Sequence, residues 1–237
     1  MPFGAVIFDF NGTLSDDEPV LYAVYAEMFA EHGRPLTDRE YYDQLAGHSE
    51  EEILRRWLGR DDPELVADRI ARYRARCADG ATIYPDVRDA VRYAAERAQV
   101  AVVSGAALEE IEPVVEAAGL GDVLSVIVAA DHVADGKPHP EGYLRVAELL
   151  GIAPADALAF EDTEAGVASV KAAGMYCVGV TRTLGAERLA AADELIPELS
   201  LAVRPGERGR DVASVWRPCA PCPDRSGAAP PRGTRGA

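Results

Sequence analysis

Ala5-Val6-Ile7-Phe8-Asp9-Phe10-Asn11-Gly12-Thr13-Leu14 is the stretch that decides the fold. A short apolar run, Ala5 to Phe10, ends by delivering a carboxylate into a glycine turn. The run shows no polar alternation, so it reads as a strand buried on both faces, the kind found in parallel sheets. An acid at such a turn is by itself more often a loop residue than a catalyst. Its meaning depends on the residues that accompany it downstream.

Working outward, further short apolar runs alternate with longer helical patterns. Val100 to Val103, Ser125 to Ala129, Ala157 to Phe160 and Tyr176 to Val180 read as strands. Pro85 to Ala98, Leu108 to Ala118, Pro140 to Leu150 and Ala165 to Ala173 read as helices. Such alternation builds βαβ units, so the fold class is α/β, a Rossmann-like parallel sheet with helices on both faces. Asp9, Ser104 and Asp162 fall at or just past strand ends, and Lys137 lies in the loop after another strand. In open α/β sheets the ligand crevice lies outside those ends, so four separate loops are placed to meet at one point.

Between Ser15 and about Thr82 the pattern is helical only. Thr37-Asp38-Arg39-Glu40 and Ser49-Glu50-Glu51-Glu52 have the capping-box form and place helix starts near Asp38 and Glu50. Asp17 to His32 and Pro63 to Cys77 supply longer flanking helices. The expected organisation is therefore a core of residues 1–14 and 83–203, a helical cap of residues 15–82 inserted after the first strand, and a tail of residues 204–237. The tail is rich in Arg, Pro and Gly, and its composition reads as disordered.

Asp9 with its glycine turn, Ser104, Gly136-Lys137-Pro138-His139-Pro140, Phe160-Glu161-Asp162-Thr163, Gly166 and Ala172-Ala173-Gly174-Met175 together resemble the haloacid dehalogenase superfamily. The resemblance runs from about Phe3 to Val203 and points to the branch containing β-phosphoglucomutase and phosphoglycolate phosphatase. It implies a phosphohydrolase in which Asp9 is the nucleophile that takes up the phosphoryl group as an aspartyl phosphate. Mg²⁺ is implied as cofactor, held by Asp9, the backbone carbonyl of Asn11 and Asp162, with Glu161 as a further ligand or support. Ser104 and Lys137 would contact the transferring oxygens, aided by Gly12, Thr13 and Gly105. Gly47 and His48 match the position of the substrate-selecting loop of the cap, which in that family is mobile.

One position departs from that pattern. Asn11 stands where the phosphatases carry a second aspartate, the acid and base of the reaction. An amide can neither give nor take that proton, and such help is typically worth roughly 10²–10⁴-fold. The expected function is therefore a phosphatase acting on a small phosphorylated metabolite. Sugar-phosphate mutase and non-catalytic phosphate binder are the alternatives. Dehalogenation is disfavoured, because displacing halide from carbon needs no metal and Glu161-Asp162 keeps the acidic pair.

Bulk properties fit this reading. The 237 residues are 48% hydrophobic, enough for a sizeable buried core. A formal net charge of -16 disfavours nucleic acid and demands a locally positive pocket for any phosphate ester. The sequence contains no apolar run approaching the ~18 residues of a spanning helix, so no membrane partner is expected. Four cysteines without a disulfide framework, and no basic leader followed by a sustained apolar segment, suggest a cytoplasmic protein, monomer or homodimer. Cys219 and Cys222 have metal-ligand spacing, but a lone pair of this kind is half a zinc site.

Overall fold

The computed structural model describes residues 3–199; the expected tail, with Cys219 and Cys222, lies outside the described residues. Six parallel strands form one sheet: β1 (Ala5–Phe8), β2 (Gln99–Val103), β3 (Val126–Val128), β4 (Ala157–Glu161), β5 (Tyr176–Val180) and β6 (Glu194–Ile196). Their order is β3-β2-β1-β4-β5-β6, so the chain builds outward from β1 on one side and then restarts on the other. The reversal falls at β1, whose Phe8 is in register with Val102 of β2 and Phe160 of β4. That is the switch point where α/β sheets open a crevice, and Asp9 is the next residue.

The two-residue period of the strands sends Val6, Phe8, Val100, Val102, Leu158 and Phe160 to one face and Ala5, Ile7, Ala101, Val103, Ala157 and Ala159 to the other. Helices α5 (Pro85–Ala95) and α6 (Leu108–Ala117) cover the first face through Val87, Val91, Ile111 and Val114. Helices α7 (Glu141–Leu150) and α8 (Glu164–Ala172) cover the second through Tyr143, Val146, Val167 and Val170. Phe8 and Phe160 stack at 5.2 Å directly beneath the site. Truncating either to Ala would cost about 3–5 kcal/mol.

Between β1 and α5 the chain forms α1 (Glu18–Glu31), α2 (Asp38–Gln44), α3 (Glu50–Leu58) and α4 (Pro63–Cys77). These helices have an apolar core of their own, built around Tyr25, Phe29, Tyr41, Leu54 and Trp57. The chain leaves and re-enters the sheet layer at neighbouring points, where Ser15 Oγ donates to Thr82 Oγ1 at 2.7 Å and Asp16 N to Thr82 O at 2.9 Å.

Several boundaries differ from the sequence reading. The first strand stops at Phe8 rather than Phe10, because the Phe10 carbonyl turns back to accept from the amides of Leu14 and Ser15. Helix α5 ends at Ala95 rather than Ala98, since Arg97 and Ala98 both donate to the Ala94 carbonyl. Strand β6 was not expected; three residues including an acid carry too short a signal. Thr37 and Glu40 form the full reciprocal capping box. Ser49 forms only half of one: its hydroxyl accepts from Glu52 N, while the Glu52 carboxylate turns to Arg56 and His48.

Candidate active site

The strand ends deliver three buried carboxylates to one place. One oxygen each of Asp9, Glu161 and Asp162 lie within 4.8 Å of one another. Lys137 enters from the loop after β3, its Nζ 2.5 Å from both Asp9 Oδ1 and Glu161 Oε1. That loop is shaped by Glu141, whose two oxygens accept from Ala134 N and Asp135 N at 2.9 Å. It is pinned to α8 by Ser169 Oγ donating to His139 O at 2.7 Å.

Glu161 and Asp162 are neighbours with different surroundings. Glu161 Oε1 accepts from Tyr143 OH at 2.8 Å, and Oε2 from Asp162 N and the Thr163 hydroxyl, so its lone pairs are well used. A Cβ at residue 166 would collide with this carboxylate, which is why α8 carries Gly166 there. Asp162 is fully buried and neither of its oxygens makes a well-formed hydrogen bond; the Thr183 hydroxyl pulls its pKa down, but less than burial and the neighbouring acids push it up.

Burial dominates the electrostatics. It lifts the Asp9 pKa to about 7, with Lys137 pulling the other way and Glu161 adding to the rise. Burial, then the charges of Asp9 and Glu161, hold Asp162 well above the usual carboxylate range. Burial alone would lower Lys137, but attraction to Asp9 and Glu161 wins and raises it. Three carboxylates facing one ammonium in a low-dielectric place cannot all stay ionised, so Asp9 and Asp162 hold their protons more tightly than free acids do.

The turn after Asp9 is equally constrained. Gly12 has φ +74°, and a Cβ there would strike Asp162 Oδ2 and Thr183 Oγ1. Asn11 Nδ2 donates to Asp17 Oδ2 at 3.0 Å, and Ser104 Oγ stands 3.5 Å from Asn11 Oδ1. Ser104 is positioned by its own amide on Val128 O and by its hydroxyl accepting from Ala106 N at 3.0 Å. The Thr13 hydroxyl is buried without a partner.

Above these groups lies a cavity of roughly 550 Å³ between the strand ends and helices α1 to α4. Asp9, Asn11, Ser104, Gly105 and Lys137 line it from below, and Gly47 and His48 from above. Gly12, Thr13, Glu161 and Asp162 are outside the lining; Glu161 and Asp162 sit beside Asp9. His48 is tied to Glu52, Nδ1 to Oε2 at 3.2 Å, and is one-third exposed.

Sequence reasoning missed Asp17, Glu18 and Arg69. Asp17 is the N-cap of α1 but makes no cap bond; its carboxylate instead accepts from Asn11, from Gly12 N and from Tyr73 OH at 2.5 Å. Glu18 lines the cavity and accepts from Tyr41 OH at 2.9 Å. Burial, then the Asp17 charge, raise its pKa to about 7. Arg69 is buried and gripped by Glu110 and Glu50. A signal existed for it: on α4, residue 69 lies on the helical stripe of Leu65, Val66, Ile70, Tyr73 and Cys77, an apolar face carrying one guanidinium.

The residues fit a divalent cation. Two buried, unpartnered oxygens on Asp162, the Asp9 carboxylate beside them and a glycine turn packed against both make an all-oxygen site of the sort Mg²⁺ takes.

A parallel sheet whose switch point gathers three buried carboxylates and an ammonium beside a cavity is an arrangement able to handle a phosphate group. Comparison with known proteins gives the family. The model for haloacid dehalogenase-like hydrolases matches residues 3–174, and the chain belongs to that family. It is 32% identical over 215 residues to validoxylamine A 7'-phosphate phosphatase of Streptomyces hygroscopicus subsp. limoneus, covering 84% of this chain and 95% of that one. It is 30% identical to phosphoglycolate phosphatase of Pseudomonas putida, covering 74% and 68%. Among solved structures, CbbY from Rhodobacter sphaeroides in complex with phosphate superposes with a TM-score of 0.73 at 25% identity, covering 84% and 95%. The chain is an enzyme of the phosphatase group of this family.

Proposed function

We propose that the protein is a Mg²⁺-dependent phosphohydrolase that cleaves a small phosphorylated metabolite through an aspartyl phosphate on Asp9. The observation that carries this reading is the meeting of Asp9, Lys137 and the unpartnered Asp162 carboxylate at the floor of one cavity. Residues 1–14 and 83–203 act as the catalytic core, and 15–82 as a cap that closes over it. The close approach of Ser15 and Thr82 supplies a compact hinge. The names of the relatives, which include phosphatases of validoxylamine A 7'-phosphate and of phosphoglycolate, support a small phosphorylated metabolite without fixing the charge of its alcohol part. Free, buried Cys77 and Cys177 agree with a cytoplasmic location.

Asp9 Oδ attacks phosphorus, the bond from phosphorus to the alcohol oxygen breaks, and the phosphoryl group is carried on Asp9 until water cleaves it. Mg²⁺, when bound, would supply positive charge to offset that of the phosphoryl oxygens and the carboxylates. Asp9, Asp162 and the Asn11 carbonyl would hold the ion. Glu161 orients Lys137, and Lys137 and Ser104 steady the transferring oxygens. Asp9 acts as nucleophile in its ionised form, and its pKa, raised first by burial, is held back from rising further by Lys137.

Asn11 cannot protonate the departing alcohol. Besides Asp9 itself, Glu18 is a cavity-lining carboxyl with a pKa near neutrality, which suits it to exchange that proton. Phosphate release from a panel of phosphomonoesters, with and without Mg²⁺, tests the reading. Turnover should require the metal and vanish in Asp9→Asn; release that persists in that variant would refute it.

A further inference from the structure

Arg69 is the only lysine or arginine that helices α1 to α4 contribute to the cavity lining among the described residues. It would be the natural reader of a second anionic group on a substrate, at the end remote from the phosphoryl group. Its charge is already matched. Glu110 of α6 takes both terminal nitrogens, Nη2 to Oε2 at 3.1 Å and Nη1 to Oε1, and Glu50 of α3 closes on Nη2 as well. The Arg69 side chain is only 4% exposed, so water does little to loosen this arrangement. Two carboxylates on one guanidinium leave that part of the wall net negative.

Apart from Asp9 and Glu18, whose pKa values burial brings near neutrality, the charged lining continues the same sign. Glu50, Glu51, Asp131 and Asp135 face the cavity against Arg69 and Lys137, and Lys137 is occupied by Asp9 and Glu161. A bound divalent ion would serve the phosphoryl end. Around Arg69 the wall is otherwise apolar or hydroxyl-bearing: Tyr25, Ile53, Val66 and Ile70, with Tyr41 nearby. Such a wall suits carbon rings and hydroxyls and repels a carboxylate or a second phosphate.

We infer that the substrate's alcohol part is uncharged, a neutral polyhydroxy or cyclic alcohol, and that the Glu50–Arg69–Glu110 triad rejects phosphomonoesters carrying a second anionic group. This inference rests on the phosphohydrolase reading and narrows its substrate. Glu50 is the exposed arm of the triad, with 21% of its side chain accessible, and Glu110 is the buried one. Neutralising Glu50 therefore returns positive charge to the wall while Glu110 keeps Arg69 in place.

A matched pair of probes tests it: glycerol phosphate and phosphoglycerate, which differ in a hydroxymethyl against a carboxylate. The wild-type protein should favour glycerol phosphate in kcat/KM by at least about tenfold, and Glu50→Gln should shrink that preference by about tenfold. Equal or better use of phosphoglycerate by the wild type, or an unchanged ratio in a folded Glu50→Gln, overturns the inference. Calorimetric binding of the same two esters to wild type and Glu50→Gln, with Mg²⁺, decides it even without turnover. Tighter binding of the neutral ester, relaxed in the variant, upholds the triad's role, and the reverse order overturns it. Absence of turnover with every ester would count against the phosphohydrolase reading alone.

Discussion

Two clusters of buried charge sit on opposite sides of the same cavity, and they are balanced differently. At the strand ends, Asp9, Glu161 and Asp162 face one lysine, and the Asp162 carboxylate has no partner. In the helical layer, one arginine is enclosed by two glutamates reaching it from different helices. The first cluster is open, since a deficit of positive charge in a dry place can be relieved by an incoming cation. The second is nearly closed, since Glu110 and Glu50 hold the terminal nitrogens of Arg69 between α3, α4 and α6 and, of its nitrogens, only the buried Nε lacks a partner among the described residues. Chemistry is expected at the open cluster, and selection by exclusion at the closed one.

Breaking the open cluster should have the largest consequences. Asp162→Asn keeps the shape but removes a charge, so Mg²⁺ affinity, read by calorimetry, should fall at least about 10- to 100-fold, taking turnover with it. Unchanged Mg²⁺ affinity would place the ion elsewhere. Gly12→Ala should be nearly as damaging, because the new methyl meets Asp162 and the backbone has φ +74°.

The next effect sharpens the comparison by changing the proton chemistry. Asn11→Asp should speed hydrolysis of esters with poor leaving groups by roughly 10²-fold or more, measured as kcat. The new carboxylate would face Asp17, whose Oδ2 now accepts from the Asn11 amide at 3.0 Å. Adding Asp17→Asn reverses donor and acceptor and should preserve the full gain. A flat response would show that Glu18 or water already suffices.

The smallest effect is thermal. Burial raises Asp9, Asp17 and Glu18 to pKa values of about 7, about 6 and about 7, and Asp162 rises too. The folded state then holds protons that the unfolded chain has released. Without metal, stability should fall as pH rises from about 4 to about 7. Mg²⁺ needs the deprotonated acids, so its addition should raise Tm by a few degrees more at about pH 8 than at about pH 5. A Tm gain that does not grow with pH would argue against ligation by these buried acids.

The parts of the molecule legible in the sequence divide along the same line. The strand-end acids and Ser104 could be read because each sits at a fixed offset from an apolar run, Asp9 and Asp162 directly after Phe8 and Glu161 and Ser104 after Val103, whereas Lys137 lies further along the loop after β3. Strand periodicity thus fixes both the address and the direction of a loop residue. Helical residues carry no such address. Glu18 and Glu50 look like ordinary acidic first-turn residues, and only the fold reveals that both face the cavity. Arg69 pairs with Glu110 across 41 positions, a partnership that no local pattern encodes. Asp17 is subtler, since its sequence position predicts a helix cap and its carboxylate serves the Asn11 turn instead.

The central claim is that Asp9 itself takes the phosphoryl group at the open cluster. Rapid-quench mass analysis of the peptide containing Asp9, with Mg²⁺ and a turned-over phosphomonoester, tests it most directly. The account predicts a transient gain of one phosphoryl group on that peptide, absent without metal and absent in Asp9→Asn. A phosphoryl group found on another residue, or undiminished turnover by Asp9→Asn, would contradict it.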